Sequence, residues 1–361
     1  MEKTNQGKIL PIACVFLALM LALCSCGGGG GTRVYYISGE DAWAAFPVDE
    51  APVKTVRAGE KWYSLMGEYL GESFALSVSD NYTEINKVYE TSGVSIWFFE
   101  ANESYAAWCE RGENTLRFMF YSEESGAEEI ISLDTSAGFS PANVGLLGSC
   151  VYFVQTDHSA QKSAVMRYDI ATGALSRFHE LEYRGEFSCT ALSVDGGALL
   201  IAAGAEGEAE LIKLDLAGGG QERIPLSASV GFVFACAYDS VAGGFAVYYS
   251  DTDGGEHIGT VNAKNGKIKK VFTFGANLYA YQDTIEFYDG HLYWVQQINA
   301  SGNVAEHYRF VDYDCKKDTA EEYLKTFSFS LAEDGITLLA FNAVDYDAIY
   351  LTEIYLGGQG E

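Results

Sequence analysis

Basic residues are the first shortage. The chain of 361 residues carries 23 Lys and Arg against 50 Asp and Glu, for a formal net charge of −27. Gripping a phosphate backbone requires cations that displace condensed counterions, so a protein that wraps DNA or RNA is excluded. Histidine is also scarce. The five present, His158, His179, His257, His291 and His307, show no H-x-H or H-E-x-x-H spacing, which argues against a zinc site and places each on a turn or strand surface. No G-x-S-x-G elbow presents a serine nucleophile, and no G-x-x-x-x-G-K-[ST] loop cradles nucleotide phosphates. No cofactor is expected. What is present is an apolar chain, 48% hydrophobic and 14% aromatic with a charged fraction of 20% and a mean hydropathy of zero, which is too apolar to stay disordered.

The amino terminus carries the most specific signal. Lys3 and Lys8 precede an almost unbroken apolar run from Ile9 to Leu23, followed by small residues. A basic start, an apolar stretch of that size and a small-residue exit form the layout of a secretory signal peptide, and the run is short for a membrane-spanning helix. The exit, Leu23-Cys24-Ser25-Cys26 followed by Gly27 to Gly31, resembles the lipobox of bacterial lipoproteins, in which the cysteine after the cut receives diacylglycerol. Cys26 has Leu23 and Ser25 at the expected places. Cys24 is the rival, but Leu23 is large for the residue before a cut. An uncleaved anchor is the other reading of the same residues. The resemblance implies lipidation at Cys26, attachment to the cell membrane and a body facing outside the cytoplasm, on a bacterial surface or in a periplasm. The expected organisation is a signal peptide at 1–25, a lipidated cysteine with a glycine-rich tether at 26–33, and a single domain at 34–361. Gly-rich segments are floppy and let a domain stand off the bilayer.

A repeat runs through that domain. A Gly, Ser or Asp turn followed by an apolar strand recurs in NESYAAWCE, LGSCVYFVQ, DGGALLIAA, AGGFAVYYS, DGHLYWVQQ and DGITLLAFN. The strands start at Tyr105, Cys150, Ala198, Phe245, His291 and Ile336, at intervals of 45 to 48 residues. A second mark keeps the same period: glycine turns at Gly126, Gly173, Gly219 and Gly266. Each unit reads as four short strands with no room for a helical crossover. That pattern defines an all-β chain, a β-propeller of four-stranded antiparallel blades. Six units and a less regular one in residues 39 to about 94 predict seven blades, with six or eight as the neighbouring counts. In the irregular unit the candidate strands are Trp43–Val48, Val53–Arg57, Phe74–Ser79 and Thr83–Tyr89. The last unit ends one strand short, and Val34–Ser38 is the expected supplier of the missing strand, pairing the two ends of the chain to close the ring and remove open edges.

The strand-turns RYDIATG (Arg167–Gly173) and KLDLAGG (Lys213–Gly219) resemble those of TolB-like, YncE-like and quinoprotein-type propellers. The resemblance rests on turn chemistry and implies a fold rather than an activity. The tryptophan that quinoprotein repeats carry after the glycine is absent, as is the WD pair, and Ser193-Val194-Asp195-Gly196-Gly197 continues without the Thr-Trp of a sialidase-type Asp box.

Other features point weakly to chemistry. Asp251-Thr252-Asp253-Gly254-Gly255-Glu256 has the oxygen ligands and glycine of a calcium loop, but it lacks the distal Glu and falls where a hairpin turn is due. Asp312, Asp314 and Asp318 are weaker candidates still, so no metal site is expected. Beyond Cys26, five cysteines remain, an odd number. Cys189 and Cys236, in the matched contexts FSCTALS and FACAYDS, read as buried small residues in neighbouring blades rather than as a bridge, because inner strands splay apart. Two functions stay open. The first is a non-catalytic binding or scaffolding module for a protein, peptide or glycan. The second is a polysaccharide hydrolase or lyase using carboxylates at the channel, such as Asp283 and Glu286 of AYQDTIEFYDG, although strand alternation separates that pair.

Overall fold

The computed structural model describes residues 32–37, 42–48, 51–67, 73–80, 85–135, 144–217, 219–298, 304–332, 335–342 and 347–356. Among them the chain forms β-strands and one short 3-10 turn, and no α-helix. Six consecutive four-stranded antiparallel sheets occupy 52–92, 95–134, 144–181, 191–225, 230–273 and 278–324, and a seventh takes three of its strands from 326–355. The strands that each of these stretches contributes lie side by side in chain order, and the first strands of most neighbouring sheets pack on one another. The sheets are blades 1 to 7 of a β-propeller, the number that the repeat predicts.

The apolar strand that recurs in the sequence is the second strand of each blade. It is buried on both faces because a blade stands on either side of it: Ala198–Ala203 is buried at every position, and Gly335–Phe341 at all but the last. A strand covered on both sides reads as a continuous apolar run rather than an alternating one. The core is therefore a series of layers between blades. Leu76, Phe99 and Trp108 fill the layer between blades 1 and 2, and Phe118 stacks on Phe153 at 4.1 Å between blades 2 and 3. Fourth strands form the rim and are mostly exposed, as in Gln221–Pro225 and Ala174–Leu181.

The irregular first blade differs from its expectation by one strand. Val53–Arg57 lies within Pro52–Ala58, Phe74–Ser79 within Ser73–Ser79, and the last strand is Asn86–Ser92, with Thr83 and Glu84 outside the described residues. Its second strand is Lys61–Gly67, which sequence reasoning missed. That strand begins 44 residues before Tyr105, in step with the other second strands, but Glu60 and Lys61 hide the start of the apolar run. Gly59, at a φ of +62°, makes the turn into it.

Trp43–Val48 belongs to the closure instead. The amino- and carboxyl-terminal strands do pair to close the ring, but the closing strand is Ala44–Pro47, antiparallel to Ala348–Tyr355. Phe46 is buried on it, within the core cluster that gathers residues of blades 6, 7 and 1. The expected closer, Val34–Ser38, does another job. Thr32–Tyr36 runs parallel to Thr319–Leu324 and adds a fifth strand to blade 6; Ser38 lies outside the described residues. Tyr35 stacks on Tyr323 at 5.0 Å and Ile37 is buried, which holds this segment against blade 6 and leaves the blade 7 edge to the next stretch of chain.

A polar lock crosses the seam where blade 7 meets blade 1. Arg57 donates to Glu353, whose side chain is 1% exposed, and its guanidinium lies 5.5 Å from the Trp43 ring and 5.4 Å from the Trp62 ring. Removing one partner of a buried ion pair strands the other charge. Arg57→Leu is expected to lower stability by about 3–5 kcal/mol, and the double variant Arg57→Leu, Glu353→Leu to recover most of that loss, both read by urea unfolding; an equal loss in single and double variants contradicts the lock.

Candidate ligand site at the central channel

Innermost strands face one another around the propeller axis, and their flat faces are covered by neighbouring blades. A side chain exposed in the middle of such a strand is therefore reached by solvent through the channel. Five of the seven innermost strands are interrupted by register shifts: at Pro52/Lys54, Trp97/Phe99, Ala280/Ile285, Thr326/Ser328, and twice in blade 5, at Val230/Phe232 and Val233/Ala235. Bulges re-aim side chains and gather beside functional sites. The most strained is at Phe98, a non-glycine residue with a φ of 59° that is nevertheless exposed.

Carboxylates from three blades meet in this channel. Burial first, and then the charges of Glu100 and Asp195, push the Glu286 carboxyl up to about 8, while the Lys54 ammonium opposes the shift. Burial also raises Glu100, again against Lys54. Asp195 is pushed up to about 6 by burial and by Asp239, with the backbone N–H of Gly196 opposing. Glu100 is exposed on its innermost strand. Lys54 is held beside it by donating from Nζ to the Phe99 carbonyl at 2.9 Å. At neutral pH Glu286 therefore carries a proton, and one cation sits among the acids.

At the end of the channel where blades connect, aromatic rings form a continuous path. Phe187, 40% exposed in the loop entering blade 4, meets Phe232 at 6.2 Å. Phe232 meets Phe234 at 5.0 Å and Phe234 meets Tyr248 at 4.7 Å. The path continues through Phe274 and Phe272 to Trp294, buried between blades 5 and 6. Both bulges of blade 5 lie along it, so a half-open aromatic surface at the mouth is braced by a rigid interior.

The other expectations fall in different places. Cys24, Cys26 and the glycine run lie outside the described residues. Glu286 lies in the channel, but the side chain of Asp283 is outside the description, and the partners of Glu286 are Glu100 and Asp195 from other blades. The missed signal was a lone acid inside an otherwise apolar strand, as in SIWFFEA and ALSVD. Asp251 makes a tight turn. One oxygen accepts the backbone N–H groups of Asp253 and Gly255, the other faces His257 Nε2 at 2.8 Å, and these bonds hold its carboxyl down at about 2. His257 is itself buried, between Asp251, Lys270 and Thr273, rather than on a strand surface. Asp312 and Asp314 bind His291 and Lys317, and Asp318 binds Tyr313 and Lys269. Among the described residues no group of three or more His, Cys, Asp or Glu is arranged to hold a metal ion. Cys109, Cys150, Cys189, Cys236 and Cys315 are all free, and burial raises the Cys236 and Cys315 thiols to about 12.

No family model matches the sequence, and no curated protein matches it. Solved structures do. The β-propeller domain of the Trilobed protease from Pyrococcus furiosus, described as having an open velcro topology, matches over 86% of this chain and 95% of its own, with 8% identity and a TM-score of 0.56. YCF48 bound to D1 peptide matches over 88% and 96%, with 8% identity and a TM-score of 0.55. The Pyrococcus horikoshii acylaminoacyl peptidase matches over 85% of this chain but 52% of its own, with 10% identity and a TM-score of 0.54. At such identities the likeness is one of fold, and the chain is a seven-bladed β-propeller.

The channel acids make stability depend on pH. The folded state keeps the Glu286 proton that the unfolded chain releases near its ordinary value, so folding binds extra protons from roughly pH 4.5 to 8. Stability therefore falls as pH rises through that window, by up to about 1.4 kcal/mol per pH unit. Thermal melts from pH 5 to 9 are expected to show a flatter profile for Glu286→Gln and a higher melting temperature than wild type at pH 9; parallel profiles contradict the assignment.

Proposed function

We propose that the chain is an extracytoplasmic lipoprotein, attached to the membrane through acyl chains on Cys26, whose propeller is a non-catalytic binding or scaffolding module for a protein, peptide or glycan. The observation that carries the binding reading is the aromatic path at the channel mouth, where Phe187 is exposed and the half-buried Phe232 and Phe234 brace it from behind. Such rings add contact area with little conformational entropy to lose. YCF48, of like fold, is seen with a bound peptide. The anchor rests on the signal-peptide layout and on Leu23 and Ser25 before Cys26. Cys26→Ala is expected to move the protein from the membrane to the soluble fraction, and retention in the membrane speaks for Cys24 or an uncleaved segment. Phe187→Ser with Phe232→Ser is expected to cut the yield of partner crosslinked to the native lipoprotein at least fivefold while the circular dichroism stays unchanged; an unaltered yield removes the mouth from the reading.

A second reading has its own support. Glu286 and Glu100 bring carboxyl groups to the channel from different blades, and glycoside hydrolysis uses two carboxyl groups flanking the bond that it breaks. In this reading the channel cleaves a polysaccharide, with Glu286 as the proton donor. Release of reducing ends from a cell-surface polysaccharide, abolished by Glu286→Gln, favours it; no release across such substrates leaves the binding module.

A further inference from the structure

Every blade ends at the rim in an edge strand, and an open edge invites pairing with another chain. Six of the seven edges are guarded. The rim strands of blades 1, 2, 3 and 5 each carry one residue with no ladder partner, respectively Val88, Ile130, Phe178 and Val271, and such a bulge bends the edge out of line. In blade 4 the edge strand Gln221–Pro225 ends in proline and holds Glu222 and Arg223; in blade 7 the closing strand Ala44–Pro47 is four residues long and also ends in proline. Blade 6 differs. Its fourth strand, Thr319–Leu324, pairs with the third without a shift, and Thr32–Tyr36 lies on it in an unbroken five-residue register. That added strand has no proline, no bulge and one charge, Arg33. Among the described residues no strand pairs with its outer edge.

The residues of this strand say what fits beside it. Val34 is 46% and Tyr36 66% exposed. Set antiparallel to a copy of itself about Val34, the strand is self-complementary: Val34 meets its counterpart, Thr32 meets the partner's Tyr36, and Arg33 meets the partner's Tyr35. Residues directly opposite in an antiparallel pair share a face, so one face carries a stripe of β-branched and aromatic side chains. On the other face the Arg33 guanidinium lies against a tyrosine ring, and no charge stands directly opposite a like charge. The acids of the strand beneath are already engaged, Glu321 with Arg33 and the Tyr35 hydroxyl, Glu322 with Arg309. We infer that Thr32–Tyr36 is a self-association edge, joining two copies of this chain by an antiparallel strand pair on a two-fold axis through Val34. Such a contact uses the same patch on both copies, so it closes at a dimer. Copies of net charge −27 repel one another, and this edge, with one cation and no acid, is where they meet. Blade 6 then continues across the axis as one sheet with five strands from each copy. The aromatic mouth at Phe187 is not part of the edge, so a dimer presents two mouths to one multivalent partner. The inference depends neither on the Cys26 anchor nor on what the mouth binds.

The test uses the full chain in detergent. Native mass spectrometry is expected to record a dimer for wild type and a monomer for Val34→Lys, which sets two like charges against each other on the axis, while the melting temperature stays unchanged. Raising the ammonium acetate concentration is expected to increase the dimer fraction, because screening weakens the repulsion between two acidic discs. Oxidation of Val34→Cys by copper phenanthroline is expected to give roughly fivefold more disulfide-linked dimer than Leu175→Cys, an exposed control on the bulged rim strand of blade 3. A wild-type monomer overturns the inference, as does a dimer that Val34→Lys leaves intact, a dimer that dissociates as salt rises, or equal crosslinking at the two positions. A monomer whose Val34→Cys thiol is shielded from maleimide in intact cells assigns the edge to a strand of another protein and also overturns self-pairing.

Discussion

Everything in this molecule depends on each blade having a neighbour on both faces. The second strands are apolar on both sides, so a blade at the end of an open row exposes half of its core layer. Ring closure is the constraint, and it is met at one place, by Ala44–Pro47 completing blade 7 and by Arg57 reaching across from blade 1 to Glu353 between two tryptophan rings. The channel, the inner-strand bulges and the aromatic mouth all presuppose a closed ring.

The scarcity of basic residues acquires structural meaning here. Arginines that a nucleic-acid binder would display are committed to acids inside the fold: Arg117 to Glu110, Arg223 and Arg184 to Glu210, Arg309 to Glu322 and Arg57 to Glu353. Glu110 is fully buried and also takes the Trp108 indole N–H at 2.9 Å. The surplus carboxylates lie mostly in turns and on rim strands, as at Glu123, Glu124, Glu128, Glu129, Glu206 and Glu208, where water solvates them and their mutual repulsion keeps the discs apart.

Blade number and strand order were legible in the sequence because second strands, buried on both faces, write the same apolar phrase every 45 to 48 residues. The seam was harder to read. Val34-Tyr35-Tyr36 and Ala44-Ala45-Phe46 are both short apolar strands, and only the stacking of Tyr35 on Tyr323 and the burial of Phe46 decide which blade each joins. The channel was legible in half. Glu286 could be named, but its partners come from strands about 90 and 190 residues away, and a bulge after Ala280 cancels the alternation from which side-chain direction is inferred. The aromatic mouth left no periodic mark, since Phe187 sits in a connection and Phe232 and Phe234 lie on a strand whose two bulges cancel its alternation.

The closing strand has a consequence for the order in which the protein can be made. Ala44 pairs with Leu351, about 300 residues later in the chain. Synthesis runs from the amino end, so this strand is among the first parts to exist and among the last to find its partner. Six blades can form from local hairpins while it waits, but the final step joins the two most distant parts of the sequence, and non-local pairings of this kind are the slow ones in folding. A chain cut short before Ala348 would be left with a stack of finished blades and two uncapped edges, the form of β-sheet most prone to recruit strangers.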